Sequence, residues 1–228
     1  MDLTDSYREA LPQSVRARYE LRETRMAAKL LAATNPAEFR DIVSVIEGFT
    51  LTTADLISPG GNESKLAFRL NGAFRQLGWR EARVDTRIGL DLVTQPWLEG
   101  GERGETVRST QVLNEGYKVD NVKGRVALDV EWNAKDGNLD RDIGAYRTLY
   151  DAGLIDGAVM ISRTHDDLRT LAVQLAREAR MSLVEARKRL GTTTTTNYDK
   201  LMPRITRGDV GGCPFLAIFI CGRTWERA

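Results

Sequence analysis

Histidine occurs once in this chain of 228 residues, cysteine twice and proline six times. The single histidine, His165, excludes the paired imidazoles on which many zinc hydrolases depend. No G-x-S-x-G accompanies it, so a serine–histidine triad lacks its nucleophile signature. It follows the apolar residues 158–161 and precedes Asp166-Asp167. That position suits a strand-to-helix loop and a structural or exposed role. Cys213 and Cys221 are too few and wrongly spaced for a structural zinc site, and buried thiols in a reducing compartment are expected. No run approaches the roughly 20 apolar residues of a membrane span. The first six residues lack the basic-then-apolar pattern of a secretory leader, so a cytoplasmic protein with no membrane partner is expected. Neither a G-x-x-x-x-G-K-[ST] phosphate loop nor a strand-linked G-x-G-x-x-G is present. The net charge of +1, from 33 basic and 32 acidic residues, is not the footprint of a protein that coats nucleic acid non-specifically. It leaves room for a sequence-specific binder whose charge is divided between a cleft and an outer surface.

With 42% hydrophobic residues the chain can bury a full core, and its length fits one domain, residues 1–228. Residues 1–58 read as an N-terminal helical region and residues 59–228 as the core. Pro12 opens a helix predicted to run to about residue 33, through a stretch rich in Ala, Leu, Arg and Glu. Asn35-Pro36 is an N-cap followed by a first-turn proline, with Gly48 as the stop. Leu66, Leu70, Phe74 and Leu77 form one apolar stripe of a helix over residues 63–77. Alternation predicts a strand over residues 82–93, a loop at 96–104 and a second strand within 106–119. A helix over about 139–150 follows, then an apolar strand at 157–162 of the doubly covered kind. Helices at 167–180 and 183–190 precede five threonines, Thr192 to Thr196, and a last strand at 214–221. The order predicts an α/β fold, a mixed β-sheet flanked by helices with an N-terminal helical extension.

The segment from Tyr117 to Lys135 carries the chemistry. Val126, Leu128, Val130 and Trp132 alternate with Ala127, Asp129 and Glu131, so Asp129 and Glu131 share one face of a strand. Two carboxylates on one face repel, and need a cation, a shared proton or open solvent. A divalent metal turns this arrangement into a site. The plainer reading is a half-buried antiparallel strand with a wet face. Asp120 lies nine residues before Asp129, ahead of the turn residues Asn121 and Gly124, and Lys135 follows the strand. A symmetric turn over residues 121–124 would pair Asp120 with Arg125, roughly 13 Å from Asp129 at about 3.3 Å per residue. Convergence of the two acids then requires an offset register, a bulge or strong twist.

Two other stretches compete for attention. Asp136-Gly-Asn138-Leu-Asp140-Arg-Asp142 alternates oxygen donors like a calcium loop. Its sixth position is Arg141 rather than Gly and its twelfth is Arg147 rather than Glu, so it reads as a turn and helix start with acids on the favourable end of the dipole. The threonine run reads either as a polar loop satisfying local backbone groups or, with Asn197, as a loop reaching DNA. Arg204 and Arg207 could bind phosphates or be merely solvated.

An acid, a short spacer, then acid-x-(acid or Lys) is the pattern of the PD-(D/E)xK nucleases. The acid strand with its Glu-Trp-Asn-x-Lys-Asp tail resembles more closely the BglII-type restriction endonucleases. So does Thr-Thr-Asn-Tyr-Asp-Lys-Leu-Met-Pro-Arg204 with the later Gly-Gly-Cys-Pro-Phe-Leu216, and the similarity spans roughly residues 63–222. The resemblance implies a restriction-endonuclease-like core and a homodimeric, Mg2+-dependent type II enzyme that cuts double-stranded DNA at a short palindrome. A companion DNA methyltransferase would protect the host. It implies metal binding by Asp120, Asp129 and the Val130 carbonyl, with Asp120, Asp129 and Glu131 as catalytic residues. Glu131 stands where many of these nucleases carry Lys, and would act as a base or further ligand. Glu63 is an outer candidate. Asn133, Lys135, Arg141, Thr193, Thr194, Thr195 and Asn197 are the expected DNA contacts. The alternatives are a repair or structure-specific nuclease of the same superfamily, or a binding module of this fold without catalysis.

Overall fold

Val159 and Ile161 lie beside Leu216 and Ile218 in a parallel pair at the middle of a seven-stranded sheet. The computed structural model describes residues 1–57, 65–95, 104, 106–135, 137–188, 190 and 194–226. Along the chain come β1 (Leu3–Thr4), α1 (Tyr7–Ala10), α2 (Gln13–Arg18), β2 (Tyr19–Thr24), α3 (Ala27–Thr34), α4 (Pro36–Gly48), α5 (Thr53–Ile57) and α6 (Lys65–Gln76). Then follow β3 (Arg80–Thr94), β4 (Thr106–Lys123), β5 (Val126–Val130), α7 (Gly137–Asp151) and β6 (Gly157–Arg163). The chain continues through α8 (Asp166–Glu178), α9 (Leu183–Lys188), α10 (Tyr198–Arg207) and β7 (Phe215–Ile220). The strand order is β1-β2-β7-β6-β5-β4-β3. β6 runs parallel to β5 and β7, whereas β4 pairs with β5 and β2 with β7 in antiparallel fashion. The sheet is therefore mixed, as the element order predicts.

Alternation divides the central strands between two layers of helices. Val126, Leu128, Val159, Ile161, Leu216 and Ile218 join Leu31, Ile42, Ile46, Leu70 and Phe74 in one continuous core. On the other face Tyr146 of α7 packs on Phe215, ring centroids 5.8 Å apart, and Tyr198 of α10 packs on Phe219 at 4.9 Å. Burying each large apolar side chain contributes about 1.5–3 kcal/mol. Covered on both sides, these strands read as unbroken apolar runs.

The chain forms two compact units, residues 1–82 with 119–228, and residues 83–118. In the second, the lengths of β3 and β4 are largely exposed. Arg83 there pairs with Asp85 at 2.9 Å and with Glu115. All of the acid strand and its partners belong to the first unit.

The helix predicted from Pro12 to about residue 33 is a helix, a strand and a second helix. Tyr19, Leu21 and Glu23 point one way and are buried, and β2 is zipped to β7 from Tyr19↔Ile220 to Thr24↔Phe215. Tertiary pairing overrides the helix-forming composition. Glu23 is fully buried because its carboxylate accepts from Thr4 Oγ1 and from the amides of Tyr7 and Ala28. α10 was absent from the sequence reading, since Pro203 lies inside it. Asn197 caps its start and Gly208, at φ 94°, ends it. The predicted loop at 96–104 falls mostly outside the described residues.

Candidate active site

The turn that follows β4 decides the geometry. It is not at residues 121–124: β4 continues through Lys123, and the turn residues are Gly124 and Arg125. Gly124 has φ +53°, a left-handed conformation that glycine adopts without a Cβ penalty. The register is Lys123↔Val126, Val122↔Ala127 and Asn121↔Leu128. Beyond this ladder the two acids meet through side-chain bonds. The Asp120 amide donates to Asp129 Oδ1 at 2.7 Å, and the Val130 amide donates to Asp120 Oδ2 at 3.4 Å.

β5 is not half-wet. All five of its residues are buried, Asp129 at 4% exposure, and Glu131 just after it at 8%. The acid face is covered by α7, which brings a further acid, Asp142, at 3% exposure and the wholly buried Tyr146. The Tyr146 hydroxyl donates to Asp129 Oδ2. Arg141 reaches Asp142 Oδ1 with Nε at 3.0 Å and Nη2 at 2.9 Å. From α6, buried Asn71 accepts from Asn121 Nδ2 at 2.8 Å, and its side chain also bonds Asp120.

Four carboxyl groups thus meet under cover, and their protonation shows the strain. Burial, then the charge of Asp120, pushes the Asp129 carboxyl up to about 7. Burial, then the charge of Asp142, pushes Glu131 up to about 9. Asp120 and Asp142 are raised too, both mainly by burial, with Arg141 opposing the rise at Asp142. Glu131 Oε2 and Asp142 Oδ2 are buried without a donor from any other group, and the two carboxyls lie against each other, so that a proton on Glu131 bonds Asp142. Carboxyl groups buried together must share protons or take up a cation, and an all-oxygen donor set suits a hard divalent one. Among the described residues, as they stand, no group of three His, Cys, Asp or Glu side chains is already arranged to hold a metal ion.

Asp142 and Tyr146 are the site residues that the sequence reading missed. The signal was present: Leu139, Asp142, Ile143, Tyr146 and Leu149 lie on one helical face, so Asp142 is an acid on an apolar stripe.

The expected DNA contacts fall into different settings. Asn133 and Lys135 are exposed, and Lys135 forms an antiparallel bridge with Thr195. Arg141 is exposed but paired with Asp142. Thr194 is exposed, whereas Thr195 Oγ1 accepts from Arg163 Nη2 at 2.8 Å. Asn197 is buried and its side chain is spent on a helix cap: Oδ1 accepts from the Lys200 amide at 3.1 Å and Nδ2 donates to Thr195 O at 3.2 Å. Thr196 serves the backbone, its amide donating to Ala134 O at 2.8 Å and its hydroxyl to Glu131 O at 3.3 Å. Arg204 makes a two-point pair with Asp140, and Arg207 pairs with Asp209. Thr193 and Glu63 lie outside the described residues. His165 sits at the start of α8, and both cysteines are buried and unbridged, with burial pushing the Cys213 thiol up to about 12. No described helix is long and apolar enough to cross a membrane.

The family model of restriction endonuclease BglII/BglIII matches the chain over residues 19–220. No individual curated protein matches the chain.

Proposed function

The chain belongs to the BglII/BglIII restriction endonuclease family, and from that premise we propose that it is a type II enzyme. Its reaction is Mg2+-dependent hydrolysis of double-stranded DNA at a short palindrome. The observation that carries the chemical part is the clasp of Asp120 and Asp129 across β4 and β5, beside the buried carboxyl of Glu131.

Asp120, Asp129 and the Val130 carbonyl are the groups that would hold Mg2+. When bound, the ion neutralises charge on the scissile phosphate and acidifies a water. The chain's own residues supply the rest. The Asp120 amide and the Tyr146 hydroxyl each bind one oxygen of Asp129, which fixes its carboxylate and favours the charged form. Glu131 is held through its backbone, the amide donating to Ile161 O at 2.8 Å and the carbonyl accepting from Ser162 Oγ at 2.9 Å. Its carboxyl group is the one that would orient a water or, once ionised, take its proton. Pushed up to about 9, it is protonated at neutral pH, so it serves as a base only once a neighbouring positive charge has lowered that value.

Substrate contact is assigned to the exposed residues beside this centre, Asn133, Lys135, Arg141 and Thr194, with Thr195 and Asn197 shaping the loop that presents them. Recognition of a palindrome follows if two chains pair about a two-fold axis and deliver one centre to each strand. The proposal treats residues 1–228 as one nuclease in the cytoplasm, with a companion methyltransferase shielding host DNA. Digesting unmethylated phage DNA and mapping the fragment ends tests it. Both strands should be cut at positions symmetric about one short palindrome; scattered ends would show a nuclease without such a site.

A further inference from the structure

Arg163, the last residue of β6, is among the largest fully buried side chains of the protein, at 1% exposure. No described carboxylate pairs with it, and burial alone pulls its pKa down to about 10. An unpaired buried cation is costly, and an apolar side chain of similar volume often fills such a place at no loss of stability. Its bonds show what the guanidinium does there. Nε donates to Trp132 O at 2.9 Å, and Nη2 donates to Thr195 Oγ1 at 2.8 Å. The guanidinium also lies 5.7 Å from the centre of the Trp132 ring.

These two bonds reach two different segments. Trp132 directly follows Glu131, and Thr195 belongs to the threonine run. The segments are stitched further by Thr196 to Ala134 O and Glu131 O and by the Lys135–Thr195 bridge. Arg163 belongs to neither segment and grips both. We infer that Arg163 is a positioning residue that couples DNA readout by residues 133–135 and 194–195 to the placement of Glu131. The inference rests on the proposed site-specific cleavage of DNA. A base pair that seats the loop wrongly would shift Thr195, and through the planar fork of Arg163 would shift the backbone carrying Glu131. Discrimination would then appear in the rate of cutting as well as in binding.

The test compares wild type, Arg163→Met, Arg163→Lys and Thr195→Val on the enzyme's own site and on sites altered at one base pair. Melting temperature serves as the folding control. Lysine keeps the charge but cannot fork to both acceptors, and Thr195→Val breaks the same link from the other end without touching Arg163. The expected result is a kcat lowered about tenfold at the true site with KM little changed, and a matching loss of preference over altered sites. Arg163→Lys should not rescue, and combining Arg163→Met with Thr195→Val should add little, as for two residues in one link. Unchanged site preference in a folded Thr195→Val enzyme would overturn the inference, as would full rescue by lysine. A wild type that cuts no DNA would remove the reading beneath it, and the inference with it.

Discussion

The backbone amide of Asp120 bonds the side chain of Asp129 at 2.7 Å, and the amide after Asp129 returns a bond to the side chain of Asp120 at 3.4 Å. Two acids nine residues apart are thereby clasped across a hairpin, each steadied by the other's strand. Backbone donors stabilise carboxylates, yet burial still raises both groups, helped at Asp129 by the charge of Asp120 and at Asp120 by those of Asp142 and Glu81. The clasp fixes the acids without satisfying their charge.

The hairpin turn sets this register, and Gly124 is its strained position. An Ala there keeps φ near +53° at a cost of about 1–2 kcal/mol. Its Cβ would also meet Glu38 Oε1 at 2.7 Å, the far end of a flexible side chain that can move aside. Gly124→Ala should lower unfolding free energy by that amount in urea titration, with specific activity of the folded enzyme nearly retained.

Tyr146→Phe removes the hydroxyl that binds Asp129 Oδ2. That bond favours the ionised carboxylate, so its loss should raise the Asp129 pKa further from about 7. The acid limb of the kcat/KM pH profile should move to higher pH, with activity lowered most near neutrality.

Asp142→Asn should act in the opposite direction. Second to burial, the Asp142 charge is what raises Glu131, so its removal lets Glu131 ionise at lower pH. If Glu131 is the base, the acid limb should move down in this variant. A profile identical to wild type would show that the two groups do not communicate.

Stability of the chelated protein should fall as pH rises. Asp129 and Glu131 have folded values near 7 and 9, above their ordinary 3.8 and 4.5, so between those limits the folded state binds more protons than the unfolded one. Their contribution is fully present below about pH 4 and is lost as pH climbs through the raised values, at up to about 1.4 kcal/mol per pH unit for each group. Melting temperature in EDTA should therefore be lowered by these groups between about pH 4 and pH 9, most steeply between about pH 5 and pH 7 where both contribute. Mg2+ should restore more of it at the alkaline end, where fewer protons compete.

Much of this was legible in the sequence because it is local. Residues 157–161 and 215–220 are apolar without interruption, and such short runs read as strands covered on both faces. Asp129 and Glu131 declare a shared face by alternation. What escaped depends on distant partners. Residues 19–24 have helix-forming composition and become a strand only because β7, some 200 positions away, offers an edge. The turn lies two residues later than a symmetric turn over 121–124 would place it, because Asn121, which has the look of a turn residue, is a strand residue whose side chain is buried against Asn71. Asp142 was assigned to a helix start; its burial follows from where α7 lies on the sheet.

The central claim is that these clasped acids cut DNA at a fixed site with the help of a divalent ion. Purified enzyme and Asp129→Ala should be incubated with unmethylated phage DNA in Mg2+ and in EDTA, after circular dichroism has shown both to be folded. The account predicts discrete fragments from the wild type in Mg2+ alone, and none from the variant in either condition. Fragments that persist in EDTA or in Asp129→Ala would contradict it.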